Sequence, residues 1–353
     1  MTSPLSGKVA LVAGATRGAG RGIAVSLAEA GATVFCTGRS TKTDAGRGSG
    51  QGGPFELARR PETIEETAEL ARLRGGRATA VRVDHNDEAQ VEALIRRIDS
   101  EHGQLDILVN DVWGGDELSE WGRPLWELSP DKGYTLVDRV LRTHFNTSRH
   151  ALPLILKGGG GLVVEVTDGD FQGYRGTVFY DLAKIIPLRL ALALTADLVT
   201  QNKRGVTALA LTPGFLRSEA VLDHFGVSES NWRDAISKDP HFVESETPYF
   251  VGRAVVALAA DPGVGTKAGR VFSSWGLARE YGFDDVDGRR PDWSGYVDRV
   301  IDEILARGGP LTDEERGLMG ARYFQLALDP RQRERTRAMA MRLALPETLD
   351  LIG

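Results

Sequence analysis

Through the first two thirds of the chain, short apolar runs alternate with stretches whose apolar positions recur every three or four residues. Residues 9–13 form the first run, and Ile23, Val25, Leu27 and Ala28 carry the stripe behind it. The pattern predicts a strand and then a helix. Residues 33–37 are β-branched and aromatic and follow Gly31, which suits a helix end, so they read as a second strand. Ile64, Thr67, Ala68 and Ala71 predict a helix with Pro61 at its first position. Further on come a strand over 78–83, a helix over 88–102 and a strand over 106–110. A long helix over 134–156, a strand over 162–167, a helix from Tyr180 to Ala196 and a sixth strand before Pro213 complete the series. Strands that alternate with helices of this length need right-handed crossovers, so the expected class is α/β with a doubly wound parallel sheet.

The first strand breaks into Gly14, Thr16, Arg17, Gly18, Ala19 and Gly20 before the helix begins. Glycines there let the chain reverse tightly and approach a diphosphate closely, while the N–H groups at the start of the helix face the anion. Gly also serves turns that hold no phosphate, but a strand before and a helix after match the nucleotide reading. Arg39 ends the second strand, where an acid would select a ribose 2′-hydroxyl and an arginine a 2′-phosphate. With Arg17 projecting toward the same region, NADP(H) is the expected cofactor. Both arginines could instead be ordinary surface groups. The glycine-rich insertion at 41–60 reads as a flap over the adenosine end or as disorder. Asp84, ending the third strand, can accept from an adenine amino group, with His85 beside it; His85 has no metal-type ligands spaced around it and also reads as a loop histidine. Trp113, Trp121 and Trp126 follow the strand ending at Asn110 and suggest either a wall of a substrate crevice or core packing.

Tyr180 and Lys184 are four residues apart at the start of a helix, so the phenol and the ammonium share one face. Together with Gly14-x3-Gly18-x-Gly20, Asp84, the Leu-Val-Asn110 strand end and Pro213-Gly214, this spacing resembles the short-chain dehydrogenase/reductase family over about residues 5–290. The segment 246–290 is similar to a carbonyl-reducing subgroup with mammalian members. The resemblance implies a Rossmann fold and an oxidoreductase. Tyr180 would exchange a proton with a carbonyl or alcohol oxygen; Lys184 would lower its pKa and bind the nicotinamide ribose. Pro213, Gly214 and Phe215 would lie along the nicotinamide, with Ser218 near its carboxamide, and Asn110 would belong to the cofactor site. Two departures stand out. Where the family has a serine 12 or 13 residues before the tyrosine, this chain has Asp168 and Thr167. Thr167 would keep the hydroxyl, and Asp168 would then contact a polar or basic substrate group; Asp168 in the serine's place would help only when protonated. Where the family's long helix carries an asparagine that orders a relay water, this chain has Val140; His144, one turn on, is either a substitute or a core histidine. Asp111 follows Asn110 where a second asparagine is common. Glu165 shares a face with Thr167 and needs a buried partner, for which Arg142 or His144 would serve. Trp113, Asp168 and Tyr174 are the substrate candidates.

Beyond residue 290 the pattern changes. Val297, Val300, Ile301, Ile304 and Leu305 form a stripe stopped by Gly308-Gly-Pro310, and Thr312-x-x-Glu315 has capping-box spacing. The expected organisation is a dinucleotide-binding and catalytic domain over 1–290 and a helical extension over 291–353, acting as a lid, an oligomer contact or plain packing. Forty-three basic against 49 acidic side chains give a net charge of −6 with no long run of one sign, which argues against nucleic acid as a partner. Cys36 is the only cysteine, so no intramolecular disulfide or multi-thiolate metal site forms, and no metal is expected. No run of about 18 apolar residues is present, so a soluble cytoplasmic protein is expected, with a small-molecule substrate and a homodimer or homotetramer through the two long helices. The functional reading is an NADP(H)-dependent oxidoreductase acting on a bulky apolar or aromatic carbonyl or secondary alcohol. The alternatives are a cofactor-binding protein without redox activity and an enzyme using Asp168 or Glu165 for proton abstraction.

Overall fold

The structure, a computed structural model, describes residues 3–43, 60–169, 174–203, 205–327 and 329–345. Strands β1 (Val9–Ala13), β2 (Thr33–Gly38), β3 (Arg77–Arg82), β4 (Ile107–Asn110), β5 (Gly161–Val166), β6 (Val206–Thr212) and β7 (Val271–Ser273) form one parallel sheet in the order β3-β2-β1-β4-β5-β6-β7. This is the doubly wound Rossmann arrangement. All five residues of β1 are buried, as expected for a central strand covered on both faces. The chain winds outward from β1 to β3 and then returns to β4. The carboxyl ends of β1 and β4 therefore flank the switch point, where such sheets open a crevice.

One face of the sheet is covered by helices α1 (Gly18–Glu29) and α7 (Pro248–Ala260), which pack Ile23, Leu27, Val251 and Val255 on Val12, Val34, Val109 and Val164. Between them in sequence are α2 (Ile64–Leu73), α3 (Glu88–His102), α4 (Pro130–Lys157), α5 (Val178–Thr200) and α6 (Glu219–Phe225). Helices α3, α4 and α5 cover the other face, with Val91, Ile98, Leu154 and Leu198 against Leu11, Phe35, Leu108 and Val163. Helix α2 begins at Ile64 and not at Pro61, because Thr63 and Glu66 form a reciprocal capping box there. Helix α4 starts four residues before the expected position, where Ser129 caps it ahead of Pro130. The insertion expected as a flap lies almost wholly outside the described residues.

After α8 (Ser274–Tyr281), helices α9 (Trp293–Arg307), α10 (Asp313–Ala327) and α11 (Arg333–Arg342) enclose their own apolar cluster around Val297, Ile301, Met319, Tyr323 and Met339. The Thr312–Glu315 capping box forms, at 3.2 and 3.0 Å. This unit leans on the main body where Trp293 stacks 5.8 Å from Phe215 and the Tyr296 hydroxyl lies 3.0 Å from His241 Nδ1. Among the described residues no helix is long and apolar enough to cross a membrane.

Candidate active site

The turn between β1 and α1 is too tight for any residue but glycine at two points. Gly14 has φ +93°, and a Cβ on it would lie 2.4 Å from the Asp111 carbonyl oxygen; a Cβ on Gly20 would lie 2.2 Å from the Gly14 oxygen. The first turn of α1 contains no acid, and its N-cap residue Arg17 makes no side-chain cap. Its amides instead meet carboxylates from distant segments. Glu219, opening α6, accepts from the Gly18 N–H at 2.8 Å and lies 3.3 Å from Arg21. The Asp111 carboxylate accepts from the Gly20 N–H, while burial pushes its pKa up to about 7. Nothing in the sequence pattern singled out Glu219, because it is 201 residues from the amide it meets.

The remaining cofactor candidates are spread along the carboxyl edge of the sheet. Arg39 is exposed at the end of β2 and reaches the loop after β4, its Nη2 3.5 Å from the Cβ position of Gly114. Arg17 is engaged by the buried Glu62 at 3.2 Å, and desolvation lowers its pKa. Thr16 packs under Gly38, and its carbonyl accepts from Arg21 at 3.2 Å; Ala19 is buried in the first turn of α1. Asp84 accepts from the Asn86 N–H at 3.0 Å. His85 differs from expectation. It is buried, with Nε2 2.8 Å from the Thr37 hydroxyl and Nδ1 2.8 Å from that of Thr147, and burial takes its pKa down to about 4. It is a neutral core imidazole, where the sequence offered a cofactor-side residue or a loop histidine. The Phe215 ring packs on Phe242, 5.2 Å between centroids, and on Trp293. Ser218 caps α6 through Val221, and the Gly214 N–H donates to Glu246 behind Pro213.

At the end of β5 the chain places Thr167 and Asp168 opposite the start of α5. The Tyr180 phenol donates to Asp168 Oδ2 at 2.6 Å. The Thr167 hydroxyl donates 2.5 Å to the Lys184 carbonyl instead. The expectation that Thr167 would face the phenol is corrected: the strand ends at Val166, and the side chain of Thr167 points back under α5. Burial, the charge of Asp168 and its hydrogen bond together push the phenol pKa well above its usual value. Lys184 lies 3.7 Å over the Trp113 ring and 5.4 Å from the Tyr180 ring. Burial lowers its pKa, opposed by Asp168, Asp116 and Asp111. The rings of Trp113 and Trp121 flank Tyr180 at 5.4 and 4.7 Å. Trp126 is instead 83% exposed, and Tyr174 has Asp181 as its electrostatic neighbour.

Below this centre lies a small cavity, large enough for a water molecule, lined by Asp111, Trp113, Val140, His144 and Lys184. His144 Nδ1 is 2.6 Å from Glu165, a residue with no exposure at all. Asn110, the register partner of Glu165 on the neighbouring strand, donates to it at 2.8 Å, and Ser148 donates at 3.2 Å. The Asn110 carboxamide is thus turned into the core. Arg142, the other expected partner, pairs with Asp138 on the surface.

A family model described as short chain dehydrogenase matches residues 54–224. A mouse protein, dehydrogenase/reductase SDR family member 1, is 34% identical over 294 residues, spanning 82% of this chain and 86% of that one. The chain belongs to the short-chain dehydrogenase/reductase family. The human protein of the same name is 33% identical over 295 residues, 82% of this chain and 86% of that one. The Escherichia coli oxidoreductase UcpA is 28% identical over 73% of this chain and 89% of its own. The solved structure of a candidate short-chain alcohol dehydrogenase from Sinorhizobium meliloti superposes with TM-score 0.59 and 25% identity, covering 78% of this chain and 97% of that one. Members of this oxidoreductase family use a nicotinamide cofactor, NAD or NADP, and act on small molecules. The glycine cradle at the sheet's switch point fits such a dinucleotide. Glu219 and Asp111 meet the same amides with carboxylates.

Proposed function

We propose that the chain is an NADP(H)-dependent oxidoreductase that interconverts a bulky apolar or aromatic carbonyl compound and its secondary alcohol. The observation that carries this reading is the meeting of Tyr180 and Lys184 beneath Trp113, in the crevice where the β4 and β5 ends open. The α1 amides and the cradle of Gly14, Gly18 and Gly20 would hold the diphosphate, Arg39 the 2′-phosphate, and Pro213 and Gly214 the nicotinamide. When bound, the nicotinamide supplies or accepts the hydride. Tyr180 gives its proton to the carbonyl oxygen during reduction and recovers one from solvent. Lys184 favours the phenolate by its positive charge, each pKa unit being about 1.4 kcal/mol. Asp168 stands where the family's serine would stand and holds the phenol until substrate arrives. The indole walls of Trp113 and Trp121 suit a large apolar ligand.

Apolar side chains exposed on α4 and α5, among them Leu141, Phe145, Leu182 and Leu192, support a homodimer or homotetramer through these helices. Light scattering on a sizing column tests that. The phenol held on a carboxylate supports a second reading, a cofactor-binding protein with no redox turnover. Steady-state oxidation of NADPH and of NADH against a panel of bulky ketones, amino ketones among them, separates the two. Turnover that prefers NADPH supports the oxidoreductase; tight NADPH binding with no oxidation supports the second reading.

A further inference from the structure

We infer that the substrate carries an ammonium group on the carbon next to its carbonyl, and that Asp168 receives it. This rests on the redox reading above and narrows it to α-amino ketones and the corresponding 1,2-amino alcohols. The phenol that must reach the substrate oxygen is already bonded to a carboxylate, at 2.6 Å. Asp168 is exposed, and Asp116, which accepts a hydrogen bond from the side chain of Trp113, is a second carboxylate acting on the same phenol. Two cations lie nearby. Lys184 lies over the face of Trp113 and feels the charge of Asp168 without a hydrogen bond shown to it, and the Arg175 guanidinium pairs with Asp181 at 3.1 Å while its Nε donates to the Asp168 carbonyl. Carboxylate oxygen beside the rings of Trp121 and Tyr180 is the chemistry that recognises an ammonium.

The spacing sets where that nitrogen is. A charge-assisted N–H to Asp168 and a phenol O–H to the substrate oxygen each span about 2.7–2.9 Å, and the two protein oxygens are 2.6 Å apart. With the two hydrogen bonds side by side, nitrogen and oxygen of the ligand lie roughly 3 Å apart, the distance across an O=C–C–N unit folded to one side. Seating the ammonium neutralises Asp168 and frees the phenol. The step balances: two electrons leave reduced nicotinamide as hydride and form the new C–H bond, the carbonyl π bond breaks, and the Tyr180 O–H proton forms the alcohol O–H. A neutral ketone leaves Asp168 on the phenol, which blocks this transfer.

The experiment compares 2-amino-1-phenylethanone with acetophenone and 2-hydroxy-1-phenylethanone as substrates of the full chain, wild type, Asp168→Asn and Asp168→Ser. Alongside, calorimetric titration of 2-amino-1-phenylethanol and 1-phenylethanol is run with and without NADPH. The expected result is a kcat/KM at least tenfold higher for the amino ketone in the wild type, falling to a ratio near one in both variants. Binding of the amino alcohol should be tighter than that of the plain alcohol by a similar factor, weaken with salt, and lose that advantage in both variants. A neutral ketone reduced as well as or better than the amino ketone overturns the inference and leaves the oxidoreductase standing. A preference for the hydroxy ketone over the amino ketone overturns it in favour of a neutral donor. Selective amine binding with no turnover of any ketone leaves Asp168 as an ammonium receptor and overturns the redox reading instead. No advantage of the amino alcohol in binding overturns the inference whatever the turnover.

Discussion

Glu219→Gln should tighten NADPH binding while loosening the cofactor-free protein. In the structure this carboxylate accepts the Gly18 N–H at 2.8 Å and pairs with Arg21 at 3.3 Å. On the proposed function that amide would hold the diphosphate, so Glu219 would give it up, or share it at the cost of like-charge repulsion, when the dinucleotide binds. A hydrogen bond to a charged group contributes about 1.5–3 kcal/mol. The Glu219 side chain is 25% exposed, and Arg21 can keep hold of it after the amide is released, so the lower end applies. Glutamine gives up about half of that, about 0.7 kcal/mol, which corresponds to a roughly threefold lower Kd. Glutamine keeps an oxygen for Gly18 but not the charge, which weakens the bond by roughly half. The free protein should therefore melt about 1–2 °C lower in a chain of this size. Titration of tryptophan fluorescence with NADPH gives the Kd, and calorimetric melting without cofactor gives the second number. A lower melting temperature with an unchanged or raised Kd would mean that Glu219 merely caps α1, and the competition with diphosphate would be wrong.

The buried Glu246 accepts from Ser274 at 2.6 Å and Gly214 at 2.9 Å, with Oε1 lacking a hydrogen-bond partner, and burial raises its pKa from 4.5 to about 8. The folded chain thus keeps a proton that the unfolded chain sheds near 4.5, so its contribution is full below that value and is lost as pH rises through about 8. Glu246→Gln should cancel that loss, making the variant more stable than wild type at pH 9 by about 3 kcal/mol and close to it at pH 5; urea unfolding at the two pH values reads the difference. His144→Leu strands the Glu165 carboxylate in the core and should cost about 3–5 kcal/mol. Glu165→Gln keeps the partners of one oxygen and should cost about 1 kcal/mol, again by urea unfolding. Arg39→Ala should lower the NADPH over NADH preference in Kd about tenfold, the loss of one charge-assisted bond; equal losses for both cofactors would remove Arg39 from the 2′-phosphate.

Six strands were legible because the central ones are apolar throughout and the helices between them regular, whereas β7, three residues long, left no pattern to read. Val9 to Ala13 and Glu88 to His102 appear within the bounds that their patterns predict. Errors at the ends have local causes: Thr63 and Ser129 are stronger caps than the residues chosen. Tyr180 and Lys184 were legible because their relation is one helical turn. Long-range pairs were not. Glu219 on Gly18, Glu62 on Arg17 and His85 between Thr37 and Thr147 join segments that only the finished fold brings together. The choice between Thr167 and Asp168 hinged on where β5 ends, and a shift of one residue there exchanges which side chain faces the phenol.

The central claim is that Tyr180 passes a proton as hydride moves. Single-turnover absorbance of bound NADPH, mixed with the best ketone of the panel, tests it directly in wild type and Tyr180→Phe, with protio and 4-deuterated cofactor. The account predicts rapid oxidation with a primary isotope effect in the wild type and a rate at least a hundredfold lower in the variant, with NADPH affinity retained. Equal rates in the two proteins would contradict it.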